Sequence, residues 1–185
     1  QWGIDRAQLR SSSDTEVLLL AWERLGPEAA HSFVGPFAFA LYDKLEQRLW
    51  LVRDRLGERP LFYHQAADGL VFASTIEAVL QASWVSRELD AEALEELVSL
   101  RYVLSPRTVI RGVRKLAPGQ MLVVDATGLQ TVQWWQPKFA SELHADHPMK
   151  PRERELEFDR LLNQAVARCT VSDVPVGLLV SDGID

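Results

Sequence analysis

The feature that most constrains the fold is an apolar run near the end of the chain, residues 174–180 (VPVGLLV). A run that is apolar at consecutive positions is typical of a parallel strand buried on both faces. Such a strand needs a neighbouring strand on each side and helices on both faces of its sheet. Residues 151–185 offer one helix, predicted over residues 152–168, whose apolar face is formed by Phe158, Leu162, Ala165 and Cys169. We therefore expect this segment to be the start of a larger domain that is cut, not finished, at residue 185.

The preceding residues show a different pattern, in which short strands and short helices are separated by turn residues. Ser13 and Glu16 have the spacing of a capping box, so we expect a helix to begin there. Residues 37–43 (FAFALYD) are apolar at odd and even positions, which predicts a strand buried on both faces. The pattern also predicts strands over residues 49–52 and 70–73 and helices over residues 76–82 and 90–101. The second of these helices has Leu94, Leu97 and Val98 as its predicted buried stripe. Residues 121–124 and 129–135 are predicted to form a hairpin with Gly128 in its loop.

Composition excludes several classes of protein. The 185 residues carry a net charge of −6 at pH 7, which argues against general nucleic-acid binding because that needs a basic surface. A single cysteine excludes a disulfide framework and a cysteine-based structural zinc site, and it fits a reducing compartment. No apolar run approaches the ~18 residues of a membrane-spanning helix. We therefore expect a cytoplasmic protein with no metal site, no nucleic-acid partner and no membrane contact.

Residues 181–185 (SDGID) follow the predicted buried strand and form the motif that most suggests a binding or catalytic function. A tight turn at the carboxyl end of such a strand exposes backbone N–H groups, which can bind a phosphate. An ordinary strand-to-helix turn with Asp and Gly as turn residues accounts for the same five residues. The local sequence alone favours the ordinary turn.

Three other places have both a structural and a functional interpretation. Asp14 lies in the first turn of a predicted helix, where a carboxylate stabilises the helix dipole, but it can also bind a ligand ammonium. Arg53, Asp54 and Arg55 at a strand end are most simply a cluster of surface ion pairs. Cys169 lies on the apolar face of its helix, which predicts a packed core thiol and not a nucleophile.

A series of motifs in one order gives the chain a family resemblance. They are residues 13–18 (SDTEVL), 35–43 (GPFAFALYD), 53–57 (RDRLG) with 60–61 (PL), 72–74 (FAS), 106–108 (PRT) with 113–116 (VRKL) and 118–119 (PG), Trp135, and 172–177 (SDVPVG). Together they resemble the glutamine-hydrolysing asparagine synthetases and their relatives, over nearly the whole chain.

The resemblance implies an α+β fold in two parts. Residues 1–137 would form an αββα sandwich of the N-terminal-nucleophile glutaminase type, with its N-terminal part missing. Residues 138–150 would be a linker. Residues 151–185 would be the first helix and strand of a doubly wound α/β ATP-pyrophosphatase domain.

The resemblance also implies a reaction and its site residues. In this family, ammonia released from glutamine reaches a second site, where ATP and Mg²⁺ activate aspartate as an acyl-adenylate. Asp14 matches the aspartate that holds the glutamine substrate. The substrates implied are glutamine, aspartate and ATP, and a homodimer is left open. The positions matching the ATP and pyrophosphate site are Val180, Ser181, Asp182, Gly183 and Asp185.

The chain departs from the family pattern at both ends. Residue 1 is glutamine where the family has its cysteine nucleophile, and the Arg-His-Arg-Gly-Pro and Asn-Gly-Glu segments do not precede Ser13. Asp182 replaces the first glycine of the phosphate loop, so either its side chain points away or ATP binding is weakened. We therefore expect no catalytic residue and no activity in this chain alone. Two alternatives stay open: a non-catalytic binding or partner-docking module, and a relative of the β-lactam synthetases or peptide cyclases that uses another substrate.

Overall fold

A computed structural model describes residues 9–67, 69–138, 150–180 and 183. The chain divides into two compact units, Gln1–Gln136 and Pro137–Asp185. The first unit contains helices α1 (Asp14–Leu25), α2 (Ile76–Val79) and α3 (Ala91–Leu100), a 3₁₀ segment (Gly26–Ser32), and strands β1 (Ala38–Asp43), β2 (Arg48–Arg53), β3 (Phe62–Ala66), β4 (Gly69–Ala73), β5 (Arg114–Lys115), β6 (Gln120–Asp125) and β7 (Gly128–Gln133). The second contains helix α4 (Pro151–Cys169).

The strands of the first unit form two antiparallel sheets, ordered β1-β2-β6-β7 and β4-β3-β5. Leu51 of β2 and Leu122 of β6 are fully buried on one face of the first sheet. They cluster with Leu61, Tyr63 and Leu116, which lie in or beside the second sheet. The two sheets therefore pack face to face, and burial of these apolar side chains stabilises the contact.

Helices cover the outer face of each sheet. Val52 and Met121, which alternate with the inward residues of β2 and β6, pack against Trp22 of α1. On the second sheet, Phe62 of β3 packs against a cluster that contains Val79 of α2. The layers are therefore helix, sheet, sheet and helix, which confirms the predicted αββα sandwich.

Helix α1 begins where the sequence predicts, but without the predicted capping box. Ser13 Oγ accepts a hydrogen bond from the N–H of Thr15 at 3.2 Å. The Glu16 carboxylate instead accepts from the N–H groups of Arg10 and Ser11, at 2.8 and 2.7 Å. The reciprocal Ser13–Glu16 pairing is wrong, because the turn before the helix offers Glu16 two other backbone donors.

Strand β1 forms, but the prediction that it is buried on both faces is wrong. Within the described residues it pairs with β2 alone, so it is an edge strand of its sheet. Partly buried and exposed residues alternate along its second half, and Tyr42 is 52% exposed. Apolar residues at consecutive positions do not distinguish an edge strand from a central one when small residues such as Ala40 occupy the open face.

Helix α3 also forms, but with a different buried side. Its first turn is fixed by Asp90, whose Oδ1 accepts from the N–H of Ala93 at 3.1 Å, and Ala93 is fully buried. Leu97 and Val98, expected in the buried stripe, are exposed, Val98 to 83%. That part of the prediction is wrong because α3 packs through its first turn.

The predicted hairpin is confirmed. Asp125 at the end of β6 pairs with Gly128 at the start of β7, so the loop holds two residues. Gly128 has a φ of +121°, which side chains rarely adopt. Strands β3 and β5 were not predicted: β3 carries the polar residues His64 and Gln65, and β5 is two residues long.

The second unit departs further from expectation. Helix α4 is confirmed, but residues 174–180 form no strand and are exposed, so the predicted buried strand is wrong in this structure. A parallel strand needs hydrogen-bonding neighbours, and α4 is the one helix or strand among the described residues of this unit. Cys169 is exposed, which corrects its expected place in a core. Most of the predicted linker, residues 139–149, lies outside the described residues.

Candidate functional site

Asp14, the first residue of α1, lies on a cavity of about 700 Å³. Arg59 lines the same cavity, and Phe33, Phe37 and Phe39 are also among its lining residues. A second concavity of about 610 Å³, lined by residues 9–14 and 17, shares Asp14 with the first. Asp14 is exposed, and its carboxylate has no hydrogen bond or ion pair with any described residue. It is therefore free to bind a cationic group in either space.

The turn in front of α1 shapes the approach to Asp14. The Glu16 carboxylate accepts from the N–H groups of Arg10 and Ser11 and from the Ser11 hydroxyl, the last at 2.7 Å. The hydrogen bond from the backbone of Arg10, followed by the one from the Ser11 hydroxyl, lowers the pKa of Glu16. Residues 10 and 11 are thereby held against the first turn of α1.

Asp54, which directly follows β2, organises the loop that carries Arg59. Asp54 is 1% exposed, and its carboxylate accepts four backbone N–H groups. Oδ1 accepts from Leu56 and Glu58 at 3.1 and 3.0 Å, and Oδ2 from Phe37 and Arg59 at 3.2 and 3.0 Å. Burial alone would raise the pKa of this carboxyl group, but the hydrogen bonds from Arg59, Glu58 and Phe37 outweigh it and lower the pKa. One side chain thus ties two segments of the cavity wall together.

Arg53 complements Asp54 by binding backbone carbonyl groups. Its Nε donates to the carbonyl of Arg59 at 2.7 Å, and its two other nitrogens donate to Leu116 and Gly57. Arg53 is buried, and burial lowers its pKa, although the charge of Asp54 opposes this. The expectation of a surface ion-pair cluster is wrong for both residues, because each binds backbone groups of the opposite polarity.

Arg55, the third member of the predicted cluster, fixes the other end of the cavity wall. Its guanidinium donates to the carbonyls of His31 and Phe33 and lies 5.2 Å from the centre of the Trp134 ring. The segment that leads into β1 is therefore held by two neighbouring residues, Asp54 at Phe37 and Arg55 at Phe33.

The candidate nucleotide-binding residues belong to the second unit, whereas Asp14 belongs to the first. Val180 is 82% exposed in the segment without a strand. Gly183 is described, whereas Ser181, Asp182 and Asp185 lie outside the described residues. In the described part of the chain, no group of three His, Cys, Asp or Glu side chains could hold a metal ion. Among the same residues, no helix has the length and apolar character needed to cross a membrane.

Residues 2–135 match the family model of the glutamine amidotransferase domain. The chain belongs to the glutamine amidotransferase domain family. This amidotransferase unit is followed by residues 157–185, which match the family model of asparagine synthase.

Two relatives of the amidotransferase chain come from Bacillus subtilis. Glutamine-hydrolysing asparagine synthetase 3 is 32% identical over 179 residues, which cover 96% of this chain and 28% of that protein. Glutamine-hydrolysing asparagine synthetase 1 is 32% identical over 176 residues, which cover 95% of this chain and 27% of that protein. The predicted resemblance is confirmed, and the chain spans less than a third of the length of these relatives.

A solved structure, the glutamine phosphoribosylpyrophosphate amidotransferase of B. subtilis, is 21% identical with a TM-score of 0.46, and the match covers 70% of this chain and 24% of that one.

Sequence reasoning missed Arg59 and the roles of Arg53 and Asp54. Charged residues at the end of a strand are usually on the surface. One signal was available. Asp54 is followed by Gly57 and Pro60, and these residues indicate a tight loop whose backbone N–H groups need an acceptor.

Proposed function

We propose that this chain is part of a glutamine-hydrolysing asparagine synthetase, an amide ligase that transfers ammonia from glutamine to aspartate. In this proposal the first unit binds glutamine, and Asp14 holds its α-ammonium group. The second unit begins the domain in which ATP activates aspartate as an acyl-adenylate. The single observation that carries the proposal is the order of the two family matches, residues 2–135 and 157–185, in one polypeptide.

The geometry around Asp14 supports the glutamine half of the proposal. Its carboxylate is unpaired among the described residues and lines a cavity of about 700 Å³, which is the size range of small-molecule sites. A carboxylate can bind an ammonium group through charge-assisted hydrogen bonds. The phenylalanines of the cavity wall offer an apolar surface to the aliphatic part of an amino acid.

The ATP half draws on the family match. The proposed ATP and pyrophosphate residues are Val180, Ser181, Asp182, Gly183 and Asp185. Val180 is exposed, and the described residues offer no carboxylate cluster for Mg²⁺, so they do not fit a metal–nucleotide site by themselves. We therefore place no step of the reaction on them. We further propose a cytoplasmic enzyme that acts on small molecules, with neither nucleic acid nor membrane as a partner and with a homodimer as its oligomeric form.

The glutamine half is tested by titrating the ¹⁵N-labelled 185-residue chain with L-glutamine and recording its amide spectrum. We expect shifts at the cavity residues and at least about tenfold weaker binding by Asp14→Asn, which corresponds to about 1.4 kcal/mol. Asp43→Asn is the matched control, because the Asp43 carboxylate accepts from Leu45 and Glu46 in the turn after β1 and does not line the cavity. The glutamine-binding role would be refuted if millimolar glutamine shifted no amide signal of the cavity residues. It would also be refuted if Asp14→Asn and Asp43→Asn lost the same amount of glutamine affinity.

Ammonia release tests the expected inactivity of this polypeptide. Its one cysteine, Cys169, lies in α4 of the second unit, so we expect the chain to release no ammonia from glutamine. Sequencing the coding DNA for about 100–200 residues on each side, a typical domain length, is the complementary measurement. An open reading frame that adds a cysteine-first glutaminase segment and a synthetase domain supports the proposal, and stop codons close to both ends contradict it.

A further inference from the structure

Arg55 is not a lining residue of the cavity at α1, but it is bonded to the backbone of residues that are. Its two terminal nitrogens donate to the carbonyl group of His31, at 2.7 Å, and to that of Phe33. Phe33 and the preceding Ser32 both line the cavity. The guanidinium of Arg55 therefore holds one wall of the cavity through its backbone carbonyl groups.

The same guanidinium also acts on the wall through an aromatic stack. It lies 5.2 Å from the centre of the Trp134 ring, and Trp134 is buried. The Trp134 ring is stacked on that of Phe37, with 6.1 Å between their centres and 24° between their planes, and Phe37 lines the cavity. Side chains in a close-packed interior have little room to move independently. Arg55 thus supports the wall at two places, the backbone of residues 31–33 and, through Trp134, the ring of Phe37.

The part of the wall between these two places is open to solvent. Residues 34–36, which connect Phe33 with Phe37, are all exposed. The position of this short segment is therefore set largely at its ends, where Arg55 holds the carbonyl of Phe33 and the Asp54 carboxylate accepts from the N–H of Phe37. Removing one of the two end contacts gives the segment more conformations, and a ligand that binds the wall must then restrict them.

We propose that Arg55 is a positioning residue for the ligand of this cavity, which keeps the wall of residues 31–37 in the form that glutamine binds without itself touching the ligand. The inference rests on the glutamine-binding role proposed for the cavity. A ligand that meets an ordered wall does not have to order the backbone and side chains of that wall. Without Arg55, the entropic cost of this ordering is added to the free energy of binding.

The test compares Arg55→Met with Arg48→Met by titrating each ¹⁵N-labelled 185-residue chain with L-glutamine. Arg48 is the matched control, because it is also a partly buried arginine, lies 5.9 Å from the centre of the Trp50 ring and bonds to Asp125, but neither lines the cavity nor bonds to its wall. Both Met variants remove a cation beside a tryptophan ring and keep much of the side-chain length. Arg55→Lys keeps the charge without the planar fork of donors that reaches two carbonyl groups.

We expect Arg55→Met to bind L-glutamine about tenfold more weakly than the unchanged chain, which corresponds to about 1.4 kcal/mol. Arg55→Lys should lie between the two, and Arg48→Met should bind as the unchanged chain does. A merely structural role would lower the urea midpoint of Arg55→Met and leave the affinity of the folded chain unchanged. If Arg55→Met does not fold, Arg55→Lys against Arg48→Lys decides the same question, and we expect weaker binding in the first of these alone.

Two amide signals report on the wall before any ligand is added. The carbonyl of each residue shares a peptide plane with the N–H of the next residue, so the N–H groups of Ser32 and Val34 adjoin the carbonyls that Arg55 holds. These two signals should shift in Arg55→Met and keep their positions in Arg48→Met. Unshifted signals in Arg55→Met would show that Arg55 does not hold the wall, and would overturn the inference.

Two binding results also overturn the inference, and they differ in what they say about the proposed function. If the unchanged chain binds L-glutamine and Arg55→Met loses no more affinity than Arg48→Met, the positioning role is wrong and the glutamine-binding role stands. If the unchanged chain does not bind L-glutamine at the cavity, both are wrong. A dispersed amide spectrum of each variant shows that any lost binding is not unfolding.

Discussion

Replacing Asp54 with asparagine should destabilise the first unit far more than replacing an ordinary surface aspartate. The substitution keeps the shape of the side chain and removes its charge. It also converts one of the two acceptor oxygens into an NH₂ donor. Since Asp54 is 1% exposed, solvent cannot replace the lost acceptor at the buried carboxylate.

The magnitude follows from the four hydrogen bonds of Asp54. Each oxygen accepts two backbone N–H groups, so asparagine can satisfy one pair: Leu56 and Glu58, or Phe37 and Arg59. Leaving a buried donor unpaired costs about 1–3 kcal/mol, and two donors lose their partner. These N–H groups are partly buried, so we expect a loss of about 2–4 kcal/mol in the free energy of unfolding, out of the about 5–15 kcal/mol that a typical domain has.

Urea unfolding followed by tryptophan fluorescence measures this loss. All six tryptophans lie in residues 1–136, so the signal reports on the first unit. The control is Asp43→Asn, because both bonds of Asp43 use a single oxygen, Oδ1, which asparagine retains. We expect the control to lose less than about 0.5 kcal/mol, the usual range for surface changes. A loss below about 1 kcal/mol in Asp54→Asn would show that the carboxylate does not hold the loop as we argue.

The same substitution predicts a pH dependence. The pKa of Asp54 is lowered in the folded chain, so its ionised form adds stability that is complete above the unfolded pKa of about 4 and is lost as the pH falls through the folded pKa. The difference in stability between the unchanged chain and Asp54→Asn should therefore narrow at pH values below about 4. Glu16 and Asp125 also have lowered pKa values, but both proteins contain them and their effects cancel in the difference. A difference that stays constant with pH would contradict the ionised role of Asp54.

Three further predictions concern single positions. Gly119→Ala should lower the free energy of unfolding by more than about 2 kcal/mol, because Gly119 has a φ of +64° and an added Cβ would lie 2.2 Å from the Trp135 carbonyl oxygen. Urea unfolding measures this loss, and a loss under about 1 kcal/mol would contradict the close approach. Ser13→Ala should lower the free energy of unfolding by about 0.5–2 kcal/mol, because it removes the N-cap hydrogen bond that Ser13 accepts from the N–H of Thr15. Urea unfolding measures this loss as well, and an unchanged midpoint of the urea transition would count against the cap. Cys169 should react with a thiol reagent in the native chain as fast as in urea, because it is exposed; strong protection in the native chain would show that it is covered.

The sequence predicts elements well where a local rule decides them. The β6–β7 hairpin follows from Gly128, whose positive φ suits a short loop, and α1 begins at Ser13 because its hydroxyl caps the first turn. Strand β5 could not be predicted this way. It holds Arg114 and Lys115, and it exists because they pair with Phe62 and Tyr63 of β3. A strand of that length comes from tertiary contact and not from its own sequence.

In the candidate site, too, some residues could be identified from the sequence and others only from tertiary contacts. The resemblance to a family pointed to Asp14, and the structure places that residue on a cavity. Gly57 and Pro60 after Asp54 indicate a tight loop, but they do not indicate that Arg53 and Asp54 are interior residues, because the partners of these two residues include backbone groups of Phe37 and Leu116. Phe37 is brought near when β1 pairs with β2, and Leu116 is brought near when the two sheets pack. For the same reason residues 174–180 were misjudged, since a strand requires partners that the described part of their unit does not contain.

The way in which Arg53 and Asp54 hold residues 54–59 has an evolutionary consequence. Every residue has a backbone N–H or carbonyl group, so these two side chains hold the loop path whatever side chains the loop carries. Leu56 is 70% exposed and Glu58 is also exposed, so both positions can change without loss of the loop. Gly57 is the exception, because a Cβ there would lie 2.8 Å from Pro118. Arg59 lines the cavity beside Asp14, so this wall of the cavity can change its side chain by a single mutation while the backbone of the loop stays in place.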